Sequence, residues 1–225
     1  MIRSLSFDNI LNKKYEYIPF SKDFMDAFGK RQKSGAWIVY GKSGQGKTSF
    51  TFQLAREFDR IGYKVLFISL EMGVESDFRD SLLGFMNSSR SGMLFWDEVP
   101  TFDEFDEFLG KQRSPDVVII DSLQSLEDEM DVTAKQLVEL RKKYRKKIFV
   151  YISHVEGKEV QGTVAYRVKR DCFSRIEVNG FCARYMSRGV PGPKGFYVVW
   201  KEGYERCWLR NSDEPFNSNN NEQEN

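Results

Sequence analysis

Four stretches of the chain, 36–40, 64–70, 116–121 and 148–154, are nearly continuous apolar runs with no polar alternation. Runs of that length, bounded by glycine or polar clusters, predict strands buried on both faces, as in a parallel sheet. Between them the spacing lengthens. Phe50, Leu54, Phe58 and Ile61 recur at helical intervals and predict a helix from Lys47 to about Ile61, stopped by Gly62. A second helix is expected near 74–87, then a short strand at 93–96. Thr101-Phe102-Asp103-Glu104 has the form of a capping box and opens a helix with Phe102, Phe105 and Leu109 inward. An acidic loop, 127–131, leads to a helix over 132–144, whose basic end complements its dipole.

From Phe173 onward the pattern changes to short runs at 175–178, 181–186, 195–200 and 206–209. These predict antiparallel strands linked through Asn179-Gly180 and Glu202-Gly203. Residues 1–34 read as a lead segment packed beside the core, and the Asn/Ser/Glu-rich tail, 211–225, as disordered. The expectation is one α/β domain over 1–210, with a mostly parallel central sheet and a C-terminal antiparallel extension.

Length and charge refine this picture. The chain has 225 residues, which suits one large α/β domain, and a formal net charge of +1. That near-neutral total hides an asymmetry: 71–131 holds sixteen acidic residues against four basic, and 141–210 six acidic against seventeen basic. One face is therefore suited to anions or to an acidic neighbour, unless the two are simply solvated surfaces. Cys172, Cys182 and Cys207 lack zinc-type spacing, and an odd number fits buried thiols in a reducing cytoplasm better than disulfides. No apolar run approaches the ~20 residues of a membrane span, and residues 1–17 lack a signal-peptide core, so a soluble cytoplasmic protein is expected.

The chemistry concentrates after the first strand. Gly41-Lys42-Ser43-Gly44-Gln45-Gly46-Lys47-Thr48 is a complete G-x-x-x-x-G-K-T, placed between a strand and a helix that starts with Lys47, Thr48 and Ser49. Glycines let backbone N–H groups converge on phosphate oxygens, and the helix adds its positive end. Lys47 then reaches the β- and γ-phosphates of ATP, and Thr48 offers its hydroxyl to Mg²⁺. The loop predicts a nucleoside triphosphate site over residues 41–49.

In a parallel sheet, ligands sit beyond the carboxyl ends of the strands. The other buried runs deliver Glu71, Asp121 and His154 to that edge. Asp121 is placed to hold Mg²⁺ through its water shell, with a helix N-cap aspartate as the plainer alternative. Glu71 is either the carboxylate that polarises the attacking water or a helix-capping surface acid. His154, the one histidine in the chain, is either a structural residue or one that feels the γ-phosphate and passes its presence to the following loop.

These segments resemble a known superfamily. The run 66–72 (LFISLEM) is similar to the glutamate-bearing strand of DnaB-type replicative helicases. The runs 116–126 (DVVIIDSLQSL) and 152–162 (ISHVEGKEVQG) resemble the corresponding segments of RadA, the RecA-like bacterial repair ATPase. The resemblance covers about 29–200. It implies a RecA-like fold, Glu71 as the water-activating carboxylate, and His154 as the γ-phosphate sensor leading into a DNA-binding loop. It also implies a homo-oligomer, ring or filament, in which a basic residue near the C-terminal strands reaches the neighbour's nucleotide. Arg188 is the best match and Arg184 the second, although the family's Lys-Asn-Arg-Phe-Gly motif is not intact. RadA's zinc motif and protease-like domain and the helicases' N-terminal domain have no counterpart here, so the resemblance carries ATP hydrolysis further than unwinding.

The candidate DNA loop, about 155–170, carries Lys158, Arg167, Lys169 and Arg170, with Tyr166 for stacking. Cations with an aromatic suit a single-stranded backbone, and a charged surface loop is the plainer alternative. Two functions follow: an ATPase acting on single-stranded DNA in replication, recombination or repair, or a nucleotide-controlled scaffold whose partner is a protein. A small-molecule kinase is disfavoured because no arginine-rich lid follows the core.

Overall fold

The computed structural model describes residues 4–85, 92–98, 101–187 and 189–209. Two helices, α1 (Phe7–Leu11) and α2 (Lys22–Phe28), precede the sheet. Strands and helices then alternate through β1 (Gly35–Gly41), α3 (Lys47–Arg60), β2 (Val65–Ser69), α4 (Ser76–Phe85) and β3 (Leu94–Trp96). The alternation continues with α5 (Phe102–Gly110), β4 (Val117–Asp121), α6 (Leu123–Met130), α7 (Ala134–Lys143) and β5 (Ile148–Glu156). There follow β6 (Glu159–Val160), α8 (Thr163–Asp171), β7 (Ser174–Asn179), β8 (Cys182–Tyr185), β9 (Phe196–Val198) and α9 (Lys201–Trp208).

The strands form one sheet in the order β3-β2-β4-β5-β1-β7-β8-β9, with β6 paired to the end of β5. Pairing is parallel from β3 through β7 and antiparallel from β7 to β9. This is a mostly parallel sheet with a C-terminal antiparallel extension.

Successive side chains of each strand point to opposite faces, which explains why the strands are apolar throughout. Trp37, Val39, Val65, Phe67, Val117, Ile119, Val150 and Ile152 pack on one face against Phe28 of α2, Phe50, Leu54 and Phe58 of α3, and Phe78 of α4. Ile38, Leu66, Ile68, Val118, Ile120, Phe149 and Tyr151 pack on the other against α5 to α8, through Phe105, Leu126, Leu137, Leu140 and Val168. Each such side chain contributes roughly 1.5–3 kcal/mol by leaving water. The sheet is thereby fixed between two helical layers, and its carboxyl edge is a stable platform.

The structure departs from the pattern in several places. The acidic stretch 127–130 is helical, because Leu123 and Leu126 are buried at helical spacing and Ser122 caps the helix through Ser125 N. Residues 206–209 belong to α9 and its cap rather than to a strand. Gly203 makes no hairpin there: a Cβ on it would lie 2.4 Å from Trp200 Cε3, so close packing accounts for the glycine. The run at 175–178 is antiparallel only to β8, since it also pairs parallel with β1. In the lead segment, α2 buries Phe24, Ala27 and Phe28, whereas α1 buries nothing: its Phe7, Ile10 and Leu11 are exposed, as is Leu5 before it.

Cys172 and Cys182 are buried thiols, and Cys207 is exposed rather than buried. Among the described residues no helix is long and apolar enough to cross a membrane. Arg188, the end of the helix expected to reach residue 87, and the 211–225 tail lie outside the described residues.

Candidate nucleotide site

β1 runs into the glycine loop at Gly41, where β7 leaves no room for a side chain: a Cβ there would lie 2.1 Å from Val178 O. The loop reaches α3 through Gly46, whose φ of +93° is open to glycine and strained for other residues. The loop is braced from the side by the turn between β7 and β8. Gln45 Oε1 accepts from Gly180 N at 2.7 Å, and Gln45 O accepts from Phe181 N at 3.1 Å. Asn179-Gly180 signalled a turn in the sequence, but nothing in its spacing signalled that this turn would clamp the loop.

Lys47 is buried at the start of α3, and its Nζ donates to Lys42 O at 3.0 Å. Burial pulls its ammonium below the usual lysine range, while the carboxylates of Glu71 and Asp121 push it back up. Asp121 closes β4 and is buried. Burial and then the nearby Glu71 raise its pKa to about 7, with Lys47 opposing. A buried carboxyl whose charged form only Lys47 favours is suited to a divalent cation, and Thr48 lines the cavity beside Lys47 and Glu71. The residues present fit Mg²⁺.

Ser69 is in register with Asp121, and the chain beyond it is tied across: Leu70 N and Glu71 N both donate to Asp121 O, at 2.7 and 3.2 Å. On the other side, Gly41 is in register with His154. His154 Nε2 lies 3.0 Å from Glu71 Oε2. Ser43, Gly44, Gly46, Lys47, Thr48, Ser49, Glu71, His154 and Phe181 enclose a cavity of about 240 Å³. A larger cavity of about 790 Å³ opens at the opposite edge, between Arg31, Trp37, Phe173 and Val190. It gathers none of Lys47, Thr48, Glu71, Asp121 and His154.

Gln124 is a residue that sequence reasoning passed over. Its Nε2 donates to Ser153 Oγ at 3.0 Å and to Gln161 O at 2.6 Å, and its Oε1 accepts from His154 N at 3.3 Å. It therefore joins the start of α6, just past Asp121, to the end of β5 and the segment beyond.

The expected DNA loop is a β5–β6 hairpin followed by α8. Lys158 lies in the hairpin turn, and Tyr166, Arg167 and Arg170 are exposed on α8. Lys169 is not free: it pairs with Glu159 at 3.0 Å and sits 4.2 Å from the Tyr40 ring centroid. Arg184 stands on β8 with its guanidinium 4.2 Å from the Trp208 ring centroid, away from the cavity lining.

The sheet order, the edge it presents and the loop at its centre define the RecA-like α/β fold. Among solved structures the chain is similar to the flagellar accessory protein FlaH from Methanocaldococcus jannaschii. The two share 18% identity with a TM-score of 0.52, over 82% of this chain and 99% of that one. No family model matches the chain, and no curated protein matches it.

Proposed function

We propose that this chain binds and hydrolyses ATP and acts on single-stranded DNA, in the manner of the RadA and DnaB-type proteins its motifs resemble. The observation that carries the reading is the convergence of Lys47, Thr48, Glu71, Asp121 and His154 on one edge of the sheet. Lys47 holds the β- and γ-phosphates, with the backbone N–H groups of residues 42–49 around them. Thr48 and Asp121 hold Mg²⁺, which supplies positive charge against the phosphates. Glu71 takes a proton from water as its oxygen bonds to the γ-phosphorus, and the bond to the β-phosphate oxygen breaks to release ADP. His154, hydrogen-bonded to Glu71, responds to the γ-phosphate, and Gln124 links its strand to the hairpin that precedes α8.

Lys158, Tyr166, Arg167 and Arg170 are the exposed groups for a strand of DNA. The protein acts as a homo-oligomer in which Arg188 or Arg184 of one copy completes the site of the next. A second reading, a nucleotide-controlled scaffold for a protein partner, draws on the exposed Leu5 and on Phe7, Ile10 and Leu11 of α1, which suit a protein surface. Turnover of ATP measured with and without single-stranded DNA separates the two. The first reading expects stimulation, and equal turnover at low salt with Mg²⁺ present favours the scaffold.

A further inference from the structure

The 240 Å³ cavity is smaller than the roughly 300–1,000 Å³ of pockets that enclose a whole small ligand. It takes the phosphates, and the nucleoside has to lie outside it. The sheet order decides on which side. Glu71 just past β2, Asp121 at the end of β4 and His154 near the end of β5 all lie on one side of β1, and they mark the γ-phosphate end. A triphosphate laid along the loop from that end directs its α-phosphate and nucleoside toward β7, β8 and β9.

An aromatic wall stands there. Phe181 borders the cavity with a φ of +57°, a left-handed conformation rare for a bulky aromatic residue. It is held there by the bond from its N–H to Gln45 O at 3.1 Å and by Val199 N, which donates to Phe181 O at 2.8 Å. Backbone strain retained in this way is a common mark of a binding site. The Phe181 ring meets Trp200 edge-on, with centroids 5.0 Å apart, and Gly203 closes against both. Trp200 is nevertheless 43% exposed, and its ring already carries a planar cation, the Arg206 guanidinium, 4.7 Å from its centroid.

We propose that Trp200, flanked edge-on by Phe181 and by Arg206, forms the platform on which the base of the nucleoside triphosphate stacks. The proposal rests on the phosphate-loop reading above. It further implies weak discrimination between bases, since every base presents a π-face to such a surface.

Calorimetric titration of the full chain with Mg²⁺ and either ATP, GTP or inorganic tripolyphosphate tests this. In the wild type, ATP and GTP should bind within about threefold of each other and at least about tenfold tighter than tripolyphosphate, the range expected for one stacked base. Trp200→Ala should bring ATP to within about twofold of tripolyphosphate while leaving tripolyphosphate unchanged, and Trp200→Phe should restore most of the difference. Equal binding of ATP and tripolyphosphate by the wild type, or an undiminished difference in Trp200→Ala, overturns the platform and leaves the phosphate loop standing. Failure of both ligands to bind the wild type overturns the loop reading and the platform with it.

Discussion

His154 Nε2 lies 3.0 Å from Glu71 Oε2, and this contact bridges the ends of β5 and β2 over the intervening strand β4, which ends in Asp121. The bridge holds a carboxylate in the lining of the glycine-loop cavity and gives it a partner that leads into the β5–β6 hairpin.

Glu71→Gln should retain nucleotide binding and lose turnover by about 10²–10⁴-fold, since an amide cannot accept a proton from water. His154→Ala should lose less, because the carboxylate remains while its brace is removed. Single-turnover hydrolysis beside equilibrium binding reads both. Turnover near wild type in Glu71→Gln removes Glu71 from the chemistry.

Lys47→Ala should weaken ATP on the order of 10²-fold, as expected when a buried cation is taken from its phosphate partners. Affinity close to wild type in a titration would show that the loop does not hold phosphates.

The contribution of Asp121 to the stability of the empty protein should fall as pH rises from about 4 to about 7, the interval between its usual and its raised pKa. A buried acid with a raised pKa holds a proton in the folded state that it gives up when unfolded, so its ionisation disfavours folding. The slope should approach about 1.4 kcal/mol per pH unit at most. The urea midpoint of the wild type should fall relative to that of Asp121→Asn across this range. Parallel profiles for the two proteins would count against the assignment.

Gly41→Ala and Gly84→Ala should move stability in opposite directions. At Gly41 a Cβ meets Val178 O at 2.1 Å, so β1 and β7 must separate, at a cost of about 3 kcal/mol or more. Gly84 lies within α4 with open space around it, and alanine there should add about 0.5–1 kcal/mol. Chemical denaturation gives both values.

If α8 meets single-stranded DNA, replacing Lys158 and Arg167 together should reduce the salt dependence of binding by one to two contacts, each worth about −0.7 in the log–log slope. Lys169→Ala should leave that slope alone and lower stability instead, because Lys169 is committed to Glu159 and Tyr40.

The strands at the centre of the fold were readable because burial on both faces demands apolar residues throughout, as in the 116–121 run that became β4. The loop and the edge residues were readable for a related reason, since each follows directly from a buried strand. What escaped was decided by contacts distant in sequence. Glu202-Gly203 looked like a turn because a buried helical glycine and a hairpin glycine are the same letter, and only the proximity of Trp200 and Phe181 separates them. Lys169 looked like a free cation because its partners, ten residues away and on β1, form no local pattern. The 127–130 stretch looked like a loop because its acidic run concealed the spacing of Leu123 and Leu126.

The close approach of β1 to β7 also divides the phosphate-loop motif between two kinds of selection. In a library of variants screened for solubility alone, with no nucleotide present, Gly41 should be strongly retained, because a larger residue beside Val178 O forces β1 and β7 apart and destabilises the fold. Thr48 faces the cavity and should drift in the same library. Part of a pattern commonly treated as a signature of activity is thus a signature of architecture, and the two parts would be inherited for different reasons.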